Sequence, residues 1–141
     1  MLLVDLDNIY IINNKSNISI LKKRLEQLEK IDNNIIFFGN EYTADFIKAN
    51  NLKIKVNISK YNGKDSCDHE LIHYAIKKKY NISIVTNDKI LQKLAFYLSK
   101  NQIMFYEYIK NKLIKKKVDL KLDKEIMTLF IKSYELYKTR F

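Results

Sequence analysis

Short apolar runs alternate with amphipathic stretches along this chain, and that alternation constrains its fold more than any other feature. Met1–Leu6 reads as a buried strand. Ser19–Lys30 reads as a helix, with Ile20, Leu21, Leu25 and Leu28 on one face and Ser19 placed to cap it. Ile35–Phe38 forms a second strand closed by Gly39-Asn40, and Tyr42–Ala49 a short helix. Lys53–Ile58 alternates Ile54, Val56 and Ile58, as a half-buried strand does. Ser59–Lys64 reads as a loop, and Asp65–Lys79 sets Leu71, Ile72, Ala75 and Ile76 on one helical face. Ile82–Thr86 then reads as a strand, Lys89–Ser99 as a helix and Ile103–Tyr106 as a strand.

An order of βαβαβαβαβ calls for a parallel sheet covered by helices on both faces. The expected class is α/β: a three-layer αβα arrangement with a central, mostly parallel five-stranded sheet, followed by a C-terminal helix. Residues 1–106 are expected to form the core. Residues 107–141 are expected to be a helical extension packed on the same domain. Within it, Ile126, Phe130, Tyr134 and Tyr137 fall at helical spacing near Asp123–Thr139. That stripe either packs on the core or makes a dimer contact, so a homodimer or larger assembly stays open. Neither repeats nor a Gly/Ser/Pro-rich linker interrupt the chain, and 141 residues suit one domain.

Right-handed crossovers bring the carboxyl ends of all parallel strands to one edge, where ligands of open α/β sheets bind. Four aspartates fall at that edge. Asp5 and Asp7 close the first strand and, two apart on a strand, would share a face. Asp88 follows the apolar run Ile82–Val85. Asp68 lies in the first turn of the helix before that run, three and four residues ahead of Leu71 and Ile72. Two such charges about 4 Å apart repel by roughly 4 kcal/mol at an effective dielectric near 20. A cluster therefore holds protons or binds cations. Oxygen ligands suit Mg²⁺ or Mn²⁺, which activate water and stabilise charge on a transferring phosphoryl group. The plainer reading of any one of these residues is a turn or helix cap, and Asp88 in particular could cap the helix it precedes.

Three segments carry a resemblance. Leu3-Val4-Asp5-Leu6-Asp7-Asn8-Ile9 resembles the opening strand of NYN-type PIN-like domains. Gly63-Lys64-Asp65-Ser66-Cys67-Asp68 resembles their Gly-Lys-Asn-x-x-Asp segment, and Ile84-Val85-Thr86-Asn87-Asp88-Lys89 resembles their strand end. The match in order and spacing spans about residues 1–106. It implies a metal-dependent nuclease, usually acting on RNA, with Mg²⁺ or Mn²⁺ held by Asp5, Asp68 and Asp88. Asp7 would be a further ligand, with Asn8 and Thr86 orienting ligands or water. Asp65 stands where that family has Asn and adds charge beside the centre. Ile90-Leu91 replaces the usual Gly-aromatic pair. Glu41 is a candidate for a further acid after the second strand. Lys64, Lys89 and His69 are the side chains expected to meet nucleic acid, RNA ahead of DNA. The expected activity is endonucleolytic hydrolysis of single-stranded RNA.

Composition agrees with a polyanionic partner. The net charge is +10, and each phosphate contact made by a basic side chain releases counterions. Compositional drift toward Lys, Asn and Ile would produce the same charge. The runs Lys77-Lys78-Lys79 and Lys115-Lys116-Lys117 are either solvated faces or parts of a phosphate track. Tyr42, Tyr61, Tyr106 and Tyr108 could stack bases or fill the core. His69 and His73, four apart on a helix, have a zinc spacing but too few companions for a closed site; they are expected to line the helix surface. Cys67, the only cysteine, reads as a small buried residue in a reducing compartment. With no membrane span of about 18 apolar residues and no signal core, a cytoplasmic location is expected. Two other functions fit parts of the pattern. Asp5-Leu6-Asp7 resembles the nucleophile motif of haloacid dehalogenase-type phosphatases, although the later acidic pair of that group is missing. A non-catalytic PIN-like subunit that binds RNA or scaffolds a larger complex would keep the shape without the chemistry.

Overall fold

Leu2–Asp5 is buried at every position and paired in parallel on both edges, so it is the central strand, β1. The computed structural model describes residues 1–59, 66–78, 81–99, 103–116 and 124–139. After β1 come a 3-10 turn (Leu6–Asn8), the strands β2 (Ile11–Ile12) and β3 (Lys15–Ser16), and α1 (Ile18–Glu29). Next are β4 (Ile35–Phe38), α2 (Glu41–Ala49), β5 (Val56–Asn57), α3 (Ser66–Lys78) and β6 (Ser83–Val85). The chain continues through α4 (Lys89–Leu98), β7 (Met104–Ile109), β8 (Lys112–Lys116) and α5 (Lys124–Thr139).

The main sheet has six strands in the order β5-β4-β1-β6-β7-β8, with β2 and β3 forming a separate hairpin. All neighbours in the main sheet are parallel except β7 and β8. The sequence pattern predicts five strands; the sixth is β8. Strand β7 runs past the expected end at residue 106, turns at Lys110-Asn111 and comes back. Both turn residues have positive φ, 48° and 65°, as a two-residue hairpin of matching twist requires. Residues 107–141 are therefore not helical throughout. Asn13 and Asn14 turn the β2–β3 hairpin in the same way, at φ 51° and 61°. A Lys-rich β8 at the sheet edge also discourages pairing with another chain.

Strand alternation sorts the core into two layers. Leu2, Val4 and Val85 belong to a cluster with Leu21, Leu28, Ile47 and Tyr108, beneath α1 and α2. Leu3, Ile84 and Phe105 face the other way, into a cluster with Leu71, Ile72, Leu91, Leu94 and Phe130 from α3, α4 and α5. The three-layer expectation corresponds to this arrangement. Helix α1 starts one residue earlier than expected, because Asn17 and not Ser19 caps it, its side chain accepting the Ile20 N–H at 3.1 Å. Among the described residues no helix is long and apolar enough to cross a membrane.

Of the expected C-terminal stripe, Phe130, Tyr134 and Tyr137 pack inward together with Met127, while Leu129 and Leu136 lie on the outer face of α5; the Ile126 side chain lies outside the described residues. Placing these rings in the same cluster as Leu3 and Ile84 ties α5 to the centre of the sheet. Phe130→Ala should lower the unfolding free energy by about 3–5 kcal/mol. Helix content and tyrosine fluorescence, followed in urea, should report one shared transition before and after the change. An earlier, separate loss of helix in the wild-type chain would show that α5 is only appended.

Candidate metal centre

Strand order reverses at β1: the chain builds β4 and β5 on one side, then crosses to β6 and β7 on the other. Such a reversal opens a crevice beyond the carboxyl ends of the strands. Asp5 closes β1 at that point, and Asp88 follows β6, the adjacent strand.

Asp5 is 1% exposed. Its Oδ2 accepts a hydrogen bond from the Thr86 hydroxyl at 2.8 Å and another from the Asn8 amide at 2.5 Å. Both residues thus hold the carboxylate. Oδ1 is buried and, among the described residues, has no hydrogen-bond partner. Burial is the main reason the Asp5 carboxyl is pushed up to about 7 from 3.8; nearby Asp7 and Asp88 push the same way, and the two hydrogen bonds pull against them.

Asp7 is not on the strand with Asp5. The chain has already turned into the 3-10 segment, and Asp7 reaches the start of α2 instead. Its Oδ1 accepts the Asn40 N–H at 3.1 Å and the Thr43 hydroxyl. Since Thr43 gives its proton to Asp7, the buried Tyr10 hydroxyl, 2.9 Å away, donates to Thr43. Gly39 leaves room for this contact. A Cβ there would stand 2.9 Å from Thr43 Cγ2 and 3.1 Å from Asp7 Oδ1, so the glycine is needed for space and not for its backbone freedom.

Asp88 caps α4, its Oδ1 accepting the N–H groups of Ile90 at 2.9 Å and Leu91 at 3.1 Å. Oδ2 takes no part in that cap. The Asp88 N–H donates to Thr86 Oγ1 at 3.0 Å, so Thr86 links the cap to Asp5.

Among the described residues, the compact group able to hold an ion consists of Asp5, Asp7 and Cys67, with one ligand atom from each lying within 4.8 Å of the others. The sequence reads Cys67 as a small buried residue and not as a ligand. Asp68, half-buried in the first turn of α3, and Asp88 lie outside this trio. Asp68 still acts on it. Burial raises the Cys67 thiol far above its ordinary range, and Asp5, Asp7, Asp68 and Glu70 add to that rise. The donor set fits a cation, because a buried carboxylate oxygen with no hydrogen bond among the described residues stands beside a second carboxylate.

Lys64 and Asp65 lie outside the described residues, as does Tyr61. Glu41 is exposed in the first turn of α2. His69 corrects an expectation. At 3% exposed, it is enclosed by the rings of Phe130, Tyr134 and Tyr137, so α5 shields it from nucleic acid. The α3 face that carries His69 and His73 is thus an aromatic interface and not an open helix surface. Lys89 is exposed but already paired: its Nζ lies 2.5 Å from Glu107 Oε2.

That ion pair braces the site. Glu107 is 4% exposed and also receives Gln92 Nε2 at 3.1 Å and Lys116 Nζ at 3.3 Å, while the same Gln92 amide donates to the Thr86 carbonyl at 2.9 Å. Burial alone would raise the Glu107 carboxyl. The hydrogen bonds from Lys89, Gln92 and Lys116 outweigh it and hold the group below its ordinary 4.5. A carboxyl lowered by folding stabilises the fold in full above its unfolded value, and that contribution disappears as pH falls through the folded value. Glu107→Gln should cost about 1–3 kcal/mol at neutral pH. In urea denaturation the gap to wild type should narrow on acidification to about pH 3. A gap that stays constant with pH would dismiss this role.

No protein-family model and no curated protein matches the chain. Among solved structures, nuclear protein-only RNase P 2 of Arabidopsis thaliana is similar at 16% identity and a TM-score of 0.49, over 84% of this chain and 30% of that one. The chain thus spans under a third of that protein's length, and a likeness this distant fixes neither activity nor substrate.

Proposed function

We propose that this chain is a PIN-like, metal-dependent nuclease that cuts single-stranded RNA internally, with Mg²⁺ or Mn²⁺ held at the Asp5 edge of the sheet. The observation that carries the reading is the Asp5 carboxylate, buried at the strand-order reversal with Oδ1 unpartnered among the described residues and Asp7 beside it. The three motif segments support it, and so does the net charge of +10. The depth of Asp5 speaks against the phosphatase alternative, because a nucleophile must be reached by its substrate and Asp5 is 1% exposed.

In this reading Asp5 and Asp7 are the principal ligands, with Asp68 and Asp88 completing the anionic edge. Bound there, Mg²⁺ or Mn²⁺ supplies a lowered water pKa and charge stabilisation at the phosphoryl oxygens. The chain's own residues set the geometry. Asn8 and Thr86 fix one oxygen of Asp5, and Asn40 and Thr43 fix one oxygen of Asp7. Each carboxylate is thereby oriented while its second oxygen stays outside those bonds. The basic surface, with Lys112, Lys115 and Lys116 on β8, attracts the phosphate backbone and concentrates substrate. A cytoplasmic setting suits such a substrate.

Labelled single-stranded RNA incubated with the protein should yield internal fragments with Mn²⁺ or Mg²⁺ and none with chelator. Single-stranded DNA should be cut more slowly. Asp5→Asn and Asp68→Asn should each reduce the rate at least about a hundredfold. Absence of metal-dependent cleavage, with RNA still bound, would replace the nuclease with the RNA-binding or scaffold alternative.

A further inference from the structure

We propose that Asp5, Asp7 and Cys67 form a site for a thiophilic divalent cation of the zinc class. Three observations carry it. One ligand atom from each residue falls within 4.8 Å of the other two. Three atoms so placed have a common centre no more than about 2.8 Å from each, against about 2.0–2.3 Å for zinc bonds to oxygen and sulfur. Sub-ångström side-chain shifts therefore close the site. Next, the buried Asp5 Oδ1 has no hydrogen bond among the described residues, and a buried charged oxygen needs a partner. Lastly, a sulfur donor in an otherwise oxygen-lined group changes its preference. Mg²⁺ takes oxygen ligands, whereas zinc-class ions accept thiolate as readily as carboxylate.

Three protein ligands leave a fourth position open to water. On binding, the Cys67 S–H bond breaks, a sulfur–metal bond forms and the proton passes to solvent. Thr86 and Asn8 hold Asp5 through Oδ2, and Asn40 and Thr43 hold Asp7 through Oδ1, so the second oxygen of each carboxylate stays outside those bonds. Binding of this ion does not depend on the nuclease reading. One consequence does: Asp5 and Asp7 are shared with the Mg²⁺ or Mn²⁺ site, so a thiophilic ion would displace the hard one and block cleavage.

Cadmium is the probe, since a cadmium–thiolate bond absorbs in the ultraviolet and Cys67 is the only cysteine of the chain. The full-length, reduced, metal-stripped protein is titrated with Cd²⁺. An absorption band should grow and saturate at one ion per chain. It should vanish in Cys67→Ser, with circular dichroism confirming the fold. In Asp5→Asn and Asp7→Asn it should need at least about tenfold more Cd²⁺. Mn²⁺ bound to the wild type, followed by paramagnetic resonance, should be released as the band grows. A wild type without a saturable band overturns the proposal. So does a band of equal affinity in the two aspartate variants, which would be a lone thiol binding cadmium. A chain that binds Cd²⁺ through all three residues yet neither binds Mn²⁺ nor cuts RNA would overturn the nuclease reading and leave this site standing.

Discussion

The structure is organised around a carboxylate in a place where carboxylates are costly. Asp5 ends the central strand of a sheet covered on both faces, and water does not reach it. A buried charge needs hydrogen bonds, an ion or a proton. The surrounding elements are arranged to meet part of that need. Thr86 at the end of β6 donates to Asp5, accepts the Asp88 N–H, and has its carbonyl held by Gln92 from α4. The β1–β6 pairing, the start of α4 and the Glu107 brace on β7 thus meet through one threonine. Removing that hydroxyl would loosen the carboxylate and the helix cap together.

Orientation without saturation is the common feature of the three acids whose contacts are resolved. Asp5 is gripped through Oδ2, Asp7 through Oδ1 and Asp88 through Oδ1. Each keeps its other oxygen outside those bonds. A purely structural acid would gain by using both oxygens, since every further donor lowers the cost of its burial. Leaving one oxygen of each available is what a ligand must do. At Asp88 the cap of α4 uses Oδ1 alone, so fixing the side chain does not exhaust it.

Much of this was legible in the sequence because it rests on periodicity and strand ends. The five parallel strands follow from alternation of apolar runs, and Asp5, Asn8 and Thr86 stand together because parallel strands end at one edge. Other features left no comparable trace. Strands of two residues, such as β2 and β3, carry no period. The Lys110-Asn111 turn lacks the glycine that usually marks such a hairpin, so β8 was read as part of a helical extension. Spacing places Asp7 on the strand with Asp5, because it cannot reveal where a chain leaves a strand. Cys67 reads in the sequence as a small buried residue, because Asp68, with Leu71 and Ile72 ahead of it, shows the stronger helical pattern; only the packing of α3 against β1 shows that the residue before it joins Asp5. His69 presented the polar signature of a surface residue, and burial under α5 depends on contacts 61 to 68 residues away in sequence.

A comparison of two buried carboxylates within one sheet shows what is particular to the centre. Glu107 on β7 is nearly as buried as Asp5, yet Lys89 and Lys116 reach it, and its carboxyl is held below the ordinary value. With 26 lysines and arginines, the chain has no shortage of cations. Among the described residues none pairs with Asp5; its neighbours are Asp7 and Asp88, and its carboxyl is pushed up to about 7, with burial as the leading cause. Among the described residues, the fold thus compensates one buried acid with cationic side chains and gives the other only neutral donors. In a strongly basic protein that contrast has a physical reading. A carboxylate without a cationic partner keeps the negative field focused on the crevice where the strand order reverses.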